Sequence, residues 1–384
     1  MLVVIVLGAG FLVYSAAGKH SAKMDRQNKT DAALAIARDA LLGRALSDSN
    51  RPGSLPCPDV NDDGQLTLGV DFGAGGACMQ TIGRLPWRTL ELPELRDGDG
   101  EHLWYAISPA FSDTTTNPIN TDSIGSITVY SGSTTSVVSS RAVGVVFAPG
   151  APLGNQARSP TQTALCPTTG TTIAQSLCAN NYLDLDTASG INNANATGPY
   201  ITVATSGTFN DRMLVVSDSV DLMTPIEARA ASAILTALQA YKAGSGTWWG
   251  CNCYPWADIG DGFANDALEH GRVPLKGADT GHSNDWADVG VTIPQWLIDN
   301  QWWLVFLYTV APNRTYDHNF GSLTVNGVAG TADIVLISAG AAISARATFP
   351  TDYIEDAENN DFGVVFITPT DTASKNRDRL YTLP

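Results

Sequence analysis

The first seventeen residues, MLVVIVLGAGFLVYSAA, carry no charge, and Lys19 and His20 follow at once. The chain then reads HSAKMDRQNKTDAALAIARDALLGRALSD, with no Pro and no Gly before Gly43. Leu34, Ala37, Leu41 and Ala45 recur at 3–4–4 spacing, which places them on one face of a helix. The pattern predicts a continuous helix to about Asp48, roughly 70 Å long at 1.5 Å per residue. Its first third is apolar throughout and the remainder is amphipathic. Gly8 and Gly10 are the points where such a helix would bend.

A second helical stripe follows much later: Ile226, Ala230, Ala233, Ala237 and Tyr241. After each helix come short valine- and aromatic-rich runs between clusters of Gly, Asn, Asp and Pro, which read as strands. The runs repeat. In the first half DALLGRAL leads to PCPDVNDDG, GRLPW, LPELRDGDGEHLWYAIS, AVGVVFAPGAPL and NDRMLVVSDS. In the second, TPIEARAASAILTALQAYKAG leads to PWADIGDG, GRVPL, IPQWLIDNQWWLVFLYTVAP, ADIVLISAGAAI and NDFGVVFITPTD. Six landmarks recur in one order. The fold class is therefore α+β, each half a helix on an antiparallel sheet. The division reads 1–48 as an assembly helix, 49–222 as a first β-rich head with a long loop at 161–199, and 223–384 as a second helix and head. The boundary lies near Asp221–Pro225, and YIEDAENN is the short counterpart of the long loop.

Three uses compete for residues 1–17. SAA at Ser15–Ala17 resembles a signal-peptide cleavage site, but the basic n-region is missing. A plain membrane anchor usually needs about 20 apolar residues, so 17 is at the lower edge. The amphipathic continuation favours a third use, a helix that sits in a bilayer and then packs with copies of itself.

Composition narrows the setting. Formal net charge is −16, which opposes nucleic acid and anionic lipid headgroups over most of the surface. Charged residues make up 16%, against roughly 25% in soluble domains, and Gly, Thr, Ser and Asn fill the difference. This reads as an extracellular, loop-rich chain. The six cysteines fall in three close pairs, Cys57 with Cys78, Cys166 with Cys178, and Cys251 with Cys253. None has zinc-ribbon or redox spacing, so local disulfides in an oxidising compartment are expected. The last pair encloses one residue, a strained ring, and pairing elsewhere or a soft metal are its alternatives.

Candidate chemistry is sparse. In DVNDDGQLT, Asp59, Asn61 and Asp63 alternate, Gly64 allows a sharp turn and Gln65 offers a carbonyl, as in the first half of an EF-hand loop. The closing Glu is absent: Val70 stands in its place and Asp71 comes one step late. Calcium competes there with an acidic Asx turn. Asp97, Asp99 and Glu101, and Asp258 with Asp261, are weaker acidic sets that read first as turns. Trp248, Trp249, Trp256, Trp286, Trp296, Trp302 and Trp303 make either a core or a binding platform. No GxSxG, HExxH, Walker or dinucleotide fingerprint occurs, the five histidines are scattered, and no enzymatic activity is expected.

NRPGSLPCPDVNDDG, then GRLPWRTLELPELRDGDGEHLWYAIS, behind an apolar helix, resembles large bacterial type IV pilin and type II secretion pseudopilin-like proteins, in which LPCPD and G-LPW-TLGLP follow the N-terminal helix. The resemblance implies two tandem pilin-like heads and a structural subunit of a filament, pilus or pseudopilus. It implies a homo-oligomer assembled through Met1, Leu2, Val3, Val4, Ile5, Val6, Leu7, Phe11, Leu12 and Val13, with Leu34 and Leu41 further along. It also implies a leader removed ahead of Met1, N-methylation, the inner membrane before assembly, and a pilus or type II secretion-like assembly machine. No cofactor is required; Ca2+ in the head is the candidate. Most pilins carry an acid five residues in, where this chain has Ile5, and the tip pseudopilin also lacks it. A tip or minor subunit is thus one alternative, and a membrane-anchored adhesin or lectin-like binder using the aromatic patch is the other.

Overall fold

The structure, a computed structural model, describes residues 2–113, 117–248, 250, 252–260, 262–263, 268–276, 286–311, 323–342, 346–361, 363–369 and 377–383, with 2–20 and 248 as backbone only. It is a mixed α+β fold with one long N-terminal helix and several sheets. The chain divides into two compact units. The first holds residues 1–45, 54–114 and 125–219; the second holds 46–53, 115–124 and 220–384.

In the first unit, α1 (Leu2–Ser47) is unbroken through Gly8 and Gly10. Residues 21–29 are all exposed, and burial begins at Thr30. From there Ala33, Leu34, Ala37, Leu41 and Ala45 form the covered stripe, the one the 3–4–4 spacing marks. Thr30 Oγ1 accepts the Gly98 N–H at 2.9 Å and donates to the Arg26 carbonyl. Gly98 is required at this crossing, because a Cβ there would collide with the Arg26 backbone. Arg212 ties the same stretch from the other side through Asp31 at 2.5 Å.

The sheet of this unit is built on β1 (Ile82–Arg84), β2 (Trp104–Ile107), β3 (Ile127–Ser131), β4 (Ser133–Ala148), β9 (Tyr200–Thr202) and β10 (Arg212–Asp218). The strand order is β1-β2-β4-β3-β9, with β10 also on β4. Its core gathers Ile82, Trp104, Val129, Val145, Phe147 and Tyr200 from alternate positions. Tyr105 and Val146, of opposite parity, are buried as well, so both faces are covered. The sheet is not wholly antiparallel: β3 and β9 run parallel. The long loop at 161–199 contains two small hairpins, β5 (Thr163–Cys166) with β6 (Thr171–Ala174), and β7 (Leu185–Asp186) with β8 (Ile191–Asn192).

In the second unit, α2 (Ser219–Trp248) follows β10 with no intervening loop. It therefore starts before the expected Asp221–Pro225 boundary. Pro225 lies within the helix and is exposed, on a side where a carbonyl without a helix partner can be hydrated. Ile226, Ala230, Ala237 and Tyr241 are buried; Ala233 is only half-buried, and Ala231 and Ile234 join the covered face instead. The main sheet is β11 (His270–Arg272), β12 (Phe306–Val310), β15 (Ile334–Ser338) and β17 (Arg379–Leu383), all antiparallel. A smaller sheet joins β13 (Leu323–Val325) antiparallel to β14 (Val328–Ala332) and parallel to β16 (Val365–Phe366). The run WLIDNQWWLVFLY becomes α3 (Gln295–Asp299), a 3-10 turn at Trp302–Leu304, and β12.

The same contacts recur in both units. Asp59 and Arg84 exchange both backbone hydrogen bonds at 2.9 and 2.7 Å, and Asp258 and Arg272 do so at 2.8 Å each. Gly83 and Gly271 make these bridges possible, since a Cβ at either would strike the facing carbonyl. The Arg84 guanidinium lies 4.2 Å from the Trp104 ring and 4.0 Å from Tyr182; Arg272 lies 4.3 Å from Phe349 and 5.1 Å from Tyr353. Asn193 brackets Ile201 with two hydrogen bonds, and Asn359 brackets Ile367 in the same way. By these contacts NDFGVVFITPTD corresponds to GPYITVATS, and the counterpart of NDRMLVVSDS is NRDRLYTL. The sequence alignment of the last landmark is therefore corrected.

Candidate functional site

Of the residues assigned to assembly, Met1 lies outside the described residues. Leu2, Val3, Val4, Ile5, Val6, Leu7, Phe11, Leu12 and Val13 lie on the N-terminal third of α1. Leu34 and Leu41 sit differently: they are 4% and 0% exposed within the first unit itself, so they hold α1 onto its own unit rather than offering a free face. The exposed apolar side chains on this part of the helix are Met24, Ile36 and Leu46. Among the described residues no helix is long and apolar enough to cross a membrane.

The acidic loop is organised around its own backbone. Asp59 is fully buried, and its carboxylate accepts N–H groups from Asn61 at 3.0 Å, Asp62 at 2.8 Å and Gly64 at 2.6 Å. Burial pushes its pKa up, and these hydrogen bonds oppose the shift. Asp63 accepts from the Gln65 N–H and the Asn61 amide. Asp71 closes the loop by accepting from Val60 and Thr67. Among the described residues no group of three or more His, Cys, Asp or Glu side chains is arranged to hold a metal. Asp97 and Asp258 are used alike. Asp97 accepts from Asp99, Glu101 and Gly150, and Asp258 from Gly260 and Gly262; Asp261 lies outside the described residues.

Two disulfides lie wholly among the described residues, Cys57–Cys78 and Cys166–Cys178, and the second ties the turn end of β5 to the 3-10 turn that follows β6. Cys253 is also disulfide-bonded, while Cys251 lies outside the described residues. The tryptophans are mostly core. Trp286, Trp296, Trp302 and Trp303 are buried, and Trp296 and Trp302 meet edge-to-face with centroids 6.2 Å apart. Trp256 is half-buried. Trp249 and the Trp248 side chain lie outside the described residues. The four buried rings therefore offer no binding platform.

Four arrangements carry no sequence signal of their own. His102 sits between Asp62 and Glu94, 2.7 Å from each, and the hydrogen bond to Asp62 raises its pKa. In the first unit Asp211 is buried beside Asp184; burial, and then the Asp184 charge, hold its carboxyl well above the usual range. In the second unit Asp378 accepts the Glu355 and Asp356 N–H groups at 2.9 and 3.3 Å, and burial raises its pKa to about 8. The fourth is a cleft of about 190 Å³ where α1 enters the first unit, lined by Lys23, Arg26, Thr30, Asp97, Asp99 and Arg212. Only structure completes these sets, because each includes a partner tens of residues away, as Asp62 is from His102 and Asp184 from Asp211.

No protein-family model, curated protein or solved structure matches the chain.

Proposed function

We propose that the chain is a structural subunit of a pilin-like filament, held in the inner membrane by its N-terminal helix before assembly and packed through that helix afterwards. The observation that carries this reading is the division of α1. It is one helix of 46 residues, and among its described side chains residues 21–29 are bare and burial against its unit begins at Thr30. The uncharged run at 1–17 lies beyond that. A helix whose outer end is wholly apolar needs a bilayer or other apolar helices around it. The two units are then two heads of one plan, held by local disulfides.

A tip or minor subunit is the neighbouring reading, favoured by Ile5 in place of an acid. The binder that uses an aromatic patch loses its support, because its central tryptophans are buried.

The test is electron microscopy of filaments sheared from the source cells, with mass spectrometry of their N-terminus. Filaments made of this chain, beginning at residue 1 of this numbering, are the expected result. The chain in membranes only, with no filament containing it, would overturn the proposal.

A further inference from the structure

Charge is divided unevenly along the chain. Residues 1–30 contain four cations and one carboxylate, a net +3, so the other 354 residues carry −19 of the total −16. The cations stand on the stem of α1. Lys23 and Arg26 continue, at i−7 and i−4 from Thr30, the stripe that the first unit buries. Between residues 21 and 29 the stripe is uncovered and carries Lys23 and Arg26, and the cleft beside it, lined by Lys23, Arg26 and Arg212, also holds Asp97 and Asp99. Arg26 has one distant carboxylate, Asp99 at 3.9 Å, and stays mostly exposed. Lys23 and Lys29 have no ion pair among the described residues.

The complementary surface exists on the same protein. Residues 352–361 hold Asp352, Glu355, Asp356, Glu358 and Asp361, and no Lys or Arg occurs between Arg346 and Lys375. These five form no ion pair among the described residues. Glu358 and Asp361 are exposed, and Asp352 is half-buried with its carboxylate accepting the Ala347 and Thr348 N–H groups.

We infer that the basic stem of α1 at Lys23, Arg26 and Lys29 docks on the acidic segment 352–361 of a second copy, and that this contact sets how neighbouring subunits are staggered. The inference rests on the filament reading. Apolar helix packing is non-directional along its axis; a charged stem against a charged head supplies register, as opposed charges do at other interfaces. A second copy is favoured over an anionic bilayer because the chain itself supplies the opposite charge.

The experiment uses the full chain, purified in detergent and assembled by detergent removal, with sedimentation as the readout. K23E/R26E/K29E is compared with wild type at low and high NaCl, alone and mixed with D352K/D356K/E358K. All six positions are exposed or half-exposed, and because Asp352 and Asp356 also accept backbone N–H groups, circular dichroism first establishes that both variants fold. The expected result is a critical concentration raised about tenfold or more by the stem reversal, a wild-type assembly weakened by salt, and recovery when the two charge-reversed chains are mixed. Wild-type assembly that ignores salt and tolerates K23E/R26E/K29E would overturn this inference while leaving the filament reading intact. If that variant assembles normally but no longer binds phosphatidylglycerol vesicles, the stem serves the bilayer and the inference is again overturned. A wild-type chain that stays monomeric would sink both.

Discussion

Replacing Asp59 tests what the acidic loop is for. Its carboxylate takes three backbone N–H groups, Asn61 and Asp62 on Oδ1 and Gly64 on Oδ2. Gly64 is buried, so removing its acceptor exposes the full penalty of an unpaired buried donor, about 1–3 kcal/mol. Asn61 and Asp62 are exposed or half-buried, and water replaces most of what they lose, leaving about 0.5 kcal/mol each. Some is returned, because burial already makes the Asp59 charge costly. Asp59→Ala should therefore destabilise the first unit by about 2–3 kcal/mol. Asp59→Asn should do as much damage: its Oδ1 can serve Asn61 and Asp62, but its amide then meets the Gly64 N–H donor to donor. An ordinary Asx turn uses one oxygen and accepts Asn as readily as Asp. Thermal unfolding of the full chain, followed by tryptophan fluorescence in EDTA and in millimolar calcium, should show both variants lowered by about 4–12 °C. Asp59→Asn melting with wild type would show that one oxygen suffices. A calcium-dependent rise in wild type, absent in the variant, would show that the carboxylate serves a metal instead.

Other outcomes follow from the same geometry. Asp378 has a folded pKa raised to about 8 against about 3.9 unfolded, so its contribution is present below pH about 4 and is lost as pH rises through about 8. Asp378→Asn, which keeps an oxygen for the Glu355 and Asp356 N–H groups, should flatten the stability profile over that window; an unchanged alkaline slope would refute this. Leu41→Ala should cost about 2–5 kcal/mol, whereas Ile36→Ala, at an exposed position, should change stability by less than about 0.5 kcal/mol; equal losses in urea titrations would contradict the burial pattern. Removing both Cys166 and Cys178, a separation of 12 residues, should cost about 3 kcal/mol by loop entropy and open 161–199 to limited proteolysis. Resistance equal to wild type would show that the two hairpins hold the loop without the staple.

The parts of the fold legible in the sequence are those whose signal is local. The covered stripe of α1 is written in Leu34, Ala37, Leu41 and Ala45, because a helix brings i, i+3 and i+4 together regardless of context. Cys57 and Cys78, and Cys166 and Cys178, are close enough in the chain for proximity to suggest the bond. The last landmark of the repeat fails for the opposite reason. NDFGVVFITPTD and NDRMLVVSDS share letters, but a short strand is defined by its partner and register, which its own residues specify weakly. What distinguishes them is that Ile201 and Ile367 are bracketed by Asn193 and Asn359 and lie beside parallel strands. Arg84 against Tyr182, and Asp211 against Asp184, were equally illegible, since nothing within a helical turn or strand of either residue names the other.

The discontinuous make-up of the second unit bears on how the chain can be synthesised and dissected. Ile119 donates its N–H to Asn300 Oδ1 at 3.0 Å, and the Asn120 amide donates to the Asn300 carbonyl at 2.9 Å. These partners are 181 and 180 residues apart. Segment 115–124 therefore leaves the ribosome long before the residues it pairs with, and must wait without them while the first unit is still being made. Truncating the gene after Ser219 would strand that segment with its hydrogen bonds unmade. A usable first unit calls for short linkers in place of 46–53 and 115–124, and a usable second unit calls for both of those segments supplied as peptides or grafted ahead of α2.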